Sequence, residues 1–247
     1  MLFLALQSYK ELAQHQNFRA KKAVKMEKRG KTLACCKYNY YFCKGLNAKK
    51  ALRMNREQYE IMAPVGSRES LAAAMQAGAD SVYFGIEHLN MRSHSASTFT
   101  TDDLRDIAAQ CSARGIKTYL NVNTIIYGED IPLMRTICDA AKEAGITAVI
   151  ASDVAVMTYC NRIGQEVHLS TQLNISNIEA LRFYAQFADV VVLARELNME
   201  QVAEIHRQAT EEGICGPSGN PIRIEMFCHG ALCMAIRGKC YLSLQHT

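Results

Sequence analysis

The stretch with the clearest chemical potential is EMFCHGALCMAIRGKCYLS, residues 225–243, where three thiols lie close to a histidine. The thiols belong to Cys228, Cys233 and Cys240. No export signal is recognisable, so we expect a cytoplasmic protein whose ten cysteines stay reduced. Clustered reduced thiols indicate metal ligation or thiol chemistry before disulfides. Six residues separate Cys233 from Cys240, more than the about two to four of a zinc knuckle, so structural zinc is the weaker interpretation.

Hydrolytic motifs with a recognised spacing are missing from the sequence. The seven histidines form no His-Glu-x-x-His pattern, and no Gly-x-Ser-x-Gly elbow occurs. Cys228 beside His229 is the one local thiol–imidazole pair near the motif, but neighbours on a strand point to opposite faces. The residues therefore favour metal or redox chemistry over proteolysis.

Polar residues at predicted strand ends are the candidate substrate-binding groups, because βα barrels build their active sites there. Arg195 is the best placed to bind a carboxylate, with Glu196 beside it, and Arg92 in a long loop is the second cation. An ion pair with Glu196, or a place in an interior polar layer, is an equal interpretation of Arg195. Further candidates either hydrogen-bond substrate or cap strand ends: Asn121, Asn123 and Gln172.

Two residues around the thiol stretch are candidate catalytic groups. Glu225 and His229 flank a predicted strand and could carry protons. Glu225 is equally a fixed acceptor that orients the cysteine loop. His168 lies within a predicted strand, EVHLST, and is expected to be a satisfied interior histidine.

A repeating helix-then-strand unit positions these residues. SLAAAMQAGADSVYFG, ICDAAKEAGITAVIAS and IEALRFYAQFADVVVLA each join an amphipathic helix to a short apolar run through small residues. TDDLRDIAAQCSARGIKTYLNVN fits more loosely, with Thr100 or Thr101 as the helix cap. Seven strands are predicted: 59–63, 81–85, 117–122, 148–152, 166–170, 189–194 and 222–228.

Helices between the strands predict an α/β fold with a parallel sheet, either an open doubly wound sheet or a barrel. No Gly-x-Gly-x-x-Gly motif follows the first strand, and this absence weakens the interpretation as an open dinucleotide-binding sheet. We therefore expect a (β/α)8 TIM-like barrel, incomplete at about seven βα units. Its first and last strands are expected to have unpaired edges.

The amino-terminal segment differs from the rest of the sequence in charge. Residues 1–53 hold 13 Lys/Arg and 2 Asp/Glu, whereas residues 54–247 hold 15 and 22. We expect residues 1–53 to be a basic extension outside the barrel. It is either a disordered arm for nucleic acid or a stretch translated from a wrongly chosen start, with Met54 the true beginning. The apolar runs are too short for a membrane helix.

The thiol stretch resembles the signature of peptidase family U32. The signature reads Glu-x-Phe, two residues, Gly, a small residue, an aliphatic residue, Cys, four residues, Gly-x-Cys, x, an aliphatic residue and Ser. The matching residues are Glu225, Phe227, Gly230, Ala231, Leu232, Cys233, Gly238, Cys240, Leu242 and Ser243. The resemblance continues upstream through YLNVNTI, VHLSTQLNISN and VVLARELNMEQVAEI, and covers about residues 59–244.

The resemblance implies a barrel enzyme of RNA hydroxylation, closest in layout to the tRNA branch, despite the family's collagenase-like peptidase label. It implies a 4Fe–4S cluster held by Cys233 and Cys240, with two further ligands expected beyond Thr247. It also implies prephenate, a small acidic co-substrate, and an RNA partner, tRNA or rRNA. Collagenase-like proteolysis and a non-enzymatic barrel that binds a small acid or a partner remain the alternatives.

Overall fold

Seven parallel strands and one antiparallel strand form a closed barrel in the computed structural model, which describes residues 2–6, 59–86, 89 and 99–229. The strands follow the chain in order around the barrel. Their bounds are β1 (Leu2–Leu6), β2 (Tyr59–Pro64), β3 (Ser81–Gly85), β4 (Lys117–Val122), β5 (Ala148–Ala151), β6 (Glu166–Leu169), β7 (Val190–Val192) and β8 (Arg223–His229). All seven predicted strands are confirmed, with ends within two residues of those expected.

Six α-helices connect the parallel strands on the outside of the barrel in the described part of the chain. They are α1 (Arg68–Gln76), α2 (Thr101–Ser112), α3 (Ile131–Ala144), α4 (Val154–Ile163), α5 (Ile178–Tyr184) and α6 (Met199–Glu211). Short 3-10 turns cover Gly128–Asp130 and Thr171–Leu173. None of the described helices is both long and apolar enough to cross a bilayer.

Local sequence signals set where these helices begin and end. Thr100 caps α2, and its side chain accepts a hydrogen bond from the Asp103 amide while the Asp103 carboxylate accepts one from the Thr100 amide. Asn198 and Gln201 form the equivalent capping box at α6. Gly145 ends α3 in the left-handed region, at a φ of 76°, where a residue without a Cβ avoids strain.

Leu2–Leu6 is the one described strand that the sequence did not predict. It runs antiparallel to both β2 and β8 and fills the gap between them. The two strand edges expected to lack a partner are therefore paired, and these five residues lie in the barrel wall, not in an extension outside it. The rest of residues 1–53, and the interpretation of that segment as an arm or a start-site error, lies outside the described residues.

Strands β3 to β7 are largely buried on both faces, which explains their mostly apolar sequences. Outward side chains such as Val82, Leu120 and Val149 are inaccessible beneath the helices. Inward side chains form a second cluster that includes Met62 and Tyr119. The two faces alternate along each strand, so polar residues on the inward face are enclosed by the barrel.

The turn before β8 fastens the amino end of that strand to β7. Asp189 Oδ1 accepts hydrogen bonds from the Ser218 amide (3.1 Å) and hydroxyl (2.6 Å), and the Arg223 amide donates to the Asp189 carbonyl (2.9 Å). Gly216 lies directly against this residue. A Cβ there would come within 2.4 Å of Asp189 Oδ1 and 2.7 Å of its Cα.

We predict that Gly216→Ala destabilises the protein by about 1–3 kcal/mol, because backbone atoms must move to admit the methyl group. Gly128→Ala is the control, since a Cβ at Gly128 meets no atom within 4 Å; it should change stability by less than about 0.5 kcal/mol. Urea unfolding followed by circular dichroism measures both. Equal stability of the two variants would refute this description of the turn.

Candidate active site

The inward side chains stack in layers along the barrel axis. The registers of the parallel strands assign three layers to β2, β4, β6 and β8, and two intervening layers to β3, β5 and β7. At the amino ends of the strands, the floor layer contains Glu60, Lys117, Glu166 and Arg223. The central layer contains Met62, Tyr119, His168 and Glu225, and the mouth layer, at the carboxyl ends, contains Pro64, Asn121, Ser170 and Phe227. Of the two intervening layers, the one next to the floor layer contains Ser81, Ala148 and Val190, and the one next to the mouth layer contains Tyr83, Ile150 and Val192.

The floor layer consists of two ion pairs. Lys117 Nζ lies 2.7 Å from Glu60 Oε2, and Arg223 Nη2 lies 2.7 Å from Glu166 Oε1. Burial alone would raise the pKa of Glu60, but hydrogen bonds from Lys117 and Tyr119 lower it below its usual value. These paired charges close the amino end of the barrel.

The central layer contains a buried imidazole facing a buried carboxyl group. His168 Nδ1 lies 3.8 Å from Glu225 Oε2, while its Nε2 lies 3.2 Å from Glu166 Oε1. The Tyr119 ring packs against the imidazole at a centroid distance of 4.6 Å. His168 was expected to be a satisfied interior histidine; it is interior, but Nδ1 has no hydrogen-bond partner within the described structure.

Arg195, the first predicted substrate-binding cation, lies at the mouth of the barrel. It follows the carboxyl end of β7 by three residues, and its guanidinium carbon is 5.6 Å from the centroid of the Phe227 ring. Both side chains are half-buried. The mouth therefore combines a positive charge with an aromatic surface.

The other predicted mouth residues differ in position. Asn121 is half-buried in the mouth layer, and Glu196 is exposed beside Arg195. Gln172 Oε1 accepts a hydrogen bond from the Ser170 hydroxyl. At Asn123 the backbone carbonyl accepts a bond from the Ser152 hydroxyl (2.8 Å), which ties the ends of β4 and β5 together.

Several predicted residues lie outside the described part of the chain. They are Arg92 and the two proposed cluster ligands, Cys233 and Cys240. For His229 the structure describes only the backbone, as the last residue of β8. Glu225, the other proposed catalytic residue, is fully buried in the central layer.

The structure describes the side chains of four cysteines outside the thiol stretch. Cys111, Cys138 and Cys160 are buried in the helix-facing core. Cys215 is exposed at the amino end of β8, whereas Cys233 follows its carboxyl end. The seven residues of β8 separate the two ends of the strand by about 20 Å.

Sequence reasoning missed most of the interior polar residues: Glu60, Lys117, Tyr119, Glu166 and Arg223. A signal was present, because Glu166-x-His168 and Arg223-x-Glu225 place charged residues at alternate positions of otherwise apolar strands. Alternate positions share a face. Which of these side chains lie in the same layer depends on the register between the strands.

Comparisons with known proteins agree with this architecture. The model of Peptidase family U32 matches residues 66–247. A collagenase of Porphyromonas gingivalis (strain W83) is 69% identical over 191 residues, covering 77% of this chain and 46% of that protein. The tRNA hydroxylation protein P1 of Bacillus subtilis is 31% identical over 198 residues, covering 79% of this chain and 44% of that protein.

A solved structure shows the same fold. The U32 peptidase Mk0906 superposes with a TM-score of 0.51 at 18% identity, covering 59% of this chain and 63% of that one. The chain spans less than half the length of the two curated relatives. The family match covers most of the chain and includes the thiol stretch, so this chain belongs to peptidase family U32.

Proposed function

We propose that this chain is the barrel part of an iron–sulfur enzyme that hydroxylates a pyrimidine in tRNA or rRNA, with prephenate as co-substrate. The observation that carries the proposal is the guanidinium of Arg195 over the ring of Phe227 at the mouth of the barrel. The relationship to a tRNA hydroxylation protein supports the RNA substrate. Such an enzyme would act in the cytoplasm, where these RNAs are.

The chemistry of the mouth suits a small anionic ring. A guanidinium lying over an aromatic ring can still present N–H donors along its edge to a carboxylate. Prephenate carries one carboxylate on its six-membered ring and one on the side chain of that ring, so one carboxylate would pair with Arg195 while the ring packs on Phe227. Asn121 in the same layer is an additional hydrogen-bonding group.

Cys233 and Cys240 are the residues that would hold the cluster. β8 ends at His229, four residues before Cys233, at the same end of the barrel as Arg195. A cubane cluster binds one thiolate at each iron, so two ligands are required in addition to Cys233 and Cys240. When bound, such a cluster supplies the redox chemistry that side chains lack.

Collagenase-like proteolysis is the second candidate function. It is favoured by the 69% identity to the P. gingivalis protein named collagenase. The two functions differ in the residues that they require, because hydroxylation requires Cys233 and Cys240 to bind iron and proteolysis does not. Variants of these cysteines therefore separate the two functions.

We predict that Arg195→Ala weakens prephenate binding about 10- to 100-fold, the loss expected for a hydrogen-bonded charge pair. Arg195→Lys should retain part of the affinity, since it keeps the charge without the bidentate edge. Arg182→Ala is the matched control, because Arg182 pairs with Glu179 and Glu212 on the outer surface. Isothermal titration calorimetry measures all three, and wild-type affinity in Arg195→Ala would rule out this site.

We predict that Cys233→Ser and Cys240→Ser each lose iron and visible absorbance in protein purified without oxygen. Cys215→Ser should keep both, because Cys215 lies at the opposite end of β8. In a deletion strain, only the wild type and Cys215→Ser should restore hydroxylated pyrimidine in RNA, measured by nucleoside mass spectrometry. Iron-free wild-type protein, or gelatin cleavage that persists in all three variants, would favour the peptidase.

A further inference from the structure

Two buried side chains of the central layer each carry a polar atom without a hydrogen-bond partner: His168 Nδ1 and Glu225 Oε1, the only such ring or carboxyl atoms in the described residues. The other carboxyl oxygen, Glu225 Oε2, is the one that lies 3.8 Å from His168 Nδ1. Both residues are almost inaccessible, at 2% for His168 and 1% for Glu225. An unpaired polar atom in such a place is costly. The pair therefore needs a proton arrangement that lets the two groups satisfy each other.

The neighbours of His168 determine that arrangement. Arg223 lies 2.7 Å from Glu166 and holds it as a carboxylate. A carboxylate can only accept hydrogen bonds, so His168 Nε2, 3.2 Å away, must carry a hydrogen. A neutral imidazole protonated at Nε2 has a bare Nδ1. Glu225 satisfies that acceptor only if its own carboxyl group carries a proton.

Burial favours the uncharged form of both groups, which raises the pKa of one and lowers the pKa of the other. It raises the pKa of Glu225 to about 8, with the negative charge of Glu60 adding to the increase. It lowers the pKa of His168, and Glu166 offsets this effect only in part. At neutral pH the pair then has an acidic proton on Glu225 and a neutral imidazole.

The other charged groups around the pair are already paired with each other. On β2 and β4, Glu60 accepts from Lys117 and from the Tyr119 hydroxyl (2.5 Å). On β6 and β8, Glu166 is paired with Arg223. The charge that can change in the centre of the barrel is therefore that of the His168–Glu225 pair.

We infer that His168 and Glu225 are an acid–base pair that holds one proton, and that binding of an anion at the mouth is coupled to this proton. Phe227 lies two residues beyond Glu225 on the same face of β8, which puts the two about 7 Å apart. An anion bound over Phe227 disfavours a carboxylate at Glu225. The coupling to the mouth rests on the proposed function, whereas the shared proton does not.

The proton balance of the pair is simple. Transfer within the pair breaks the O–H bond of Glu225 and forms an N–H bond at His168 Nδ1, giving a carboxylate and an imidazolium. Above about pH 8 the proton leaves to solvent and the pair gains one negative charge. Binding of an anion under those conditions returns the proton from solvent.

Spectroscopy of the wild-type protein tests the shared proton without any assumption about function. Infrared spectra of protein with labelled glutamate should contain a protonated carboxyl band at neutral pH, and nitrogen NMR should find His168 neutral with its hydrogen on Nε2. The infrared band should vanish in Glu225→Gln and remain in Glu60→Gln, since the pKa of Glu60 is lowered. Besides the hydrogen on His168 Nε2, one proton on either Glu225 or His168 Nδ1 supports the pair; a proton on neither or on both of these two sites at neutral pH overturns it.

The pair also predicts a pH dependence of stability. The pKa of Glu225 is higher in the folded than in the unfolded state, so the folded protein binds the extra proton and loses stability as pH rises towards about 8. Below the normal pKa of histidine this loss is offset by His168, whose pKa is lowered. Between about pH 6.5 and 8, the folding equilibrium constant should fall up to about tenfold per pH unit. Urea unfolding of Glu225→Gln should lack this fall; an equal fall in wild type and variant would contradict the assignment.

Calorimetry with prephenate tests the coupling to the mouth. In buffers of different ionisation enthalpy, binding between about pH 8 and 9 should take up a substantial fraction of one proton, and Glu225→Gln should take up none. Proton uptake that is the same in both proteins overturns the coupling. Absence of prephenate binding overturns the proposed co-substrate and the coupling together, while the spectroscopic result on the pair stands.

Discussion

The structure depends on one constraint, that polar groups enclosed by a barrel must be satisfied by one another. Inward positions of β2, β4, β6 and β8 supply most of the charged groups. In the floor layer each carboxylate has a cation at 2.7 Å. Among the described charged and imidazole groups, only the pair of His168 and Glu225 in the central layer has buried polar atoms without a partner. Because structural polar groups in protein interiors are normally paired, this exception indicates a chemical role.

β8 connects every part of the candidate site. Its inward residues are Arg223 in the floor layer, Glu225 in the central layer and Phe227 in the mouth layer. The turn around Asp189 and Gly216 fixes its amino end, and the family's thiol motif follows its carboxyl end. A shift of this strand would move the acid–base pair, the aromatic surface at the mouth and the start of the thiol motif together.

The sequence was sufficient to predict the seven parallel strands, because most of them are short, largely apolar runs and β3 to β8 each follow a helix. Leu2–Leu6 could not be predicted in this way. It pairs antiparallel with strands more than fifty and two hundred residues away, and no local repeat links it to them. For the site, Arg195 was identified from its position at a strand end and Glu225 from its place in the thiol stretch. Their partners Phe227 and His168 depend on the register between strands, which the sequence does not encode locally.

The location of protons in the central layer tests this account most directly. Neutron diffraction from deuterated crystals at neutral pH should reveal one deuteron on His168 Nε2, directed at Glu166, and one between Glu225 and His168 Nδ1. A deuteron on Nδ1 together with one on Glu225, or no deuteron on either, would contradict the account.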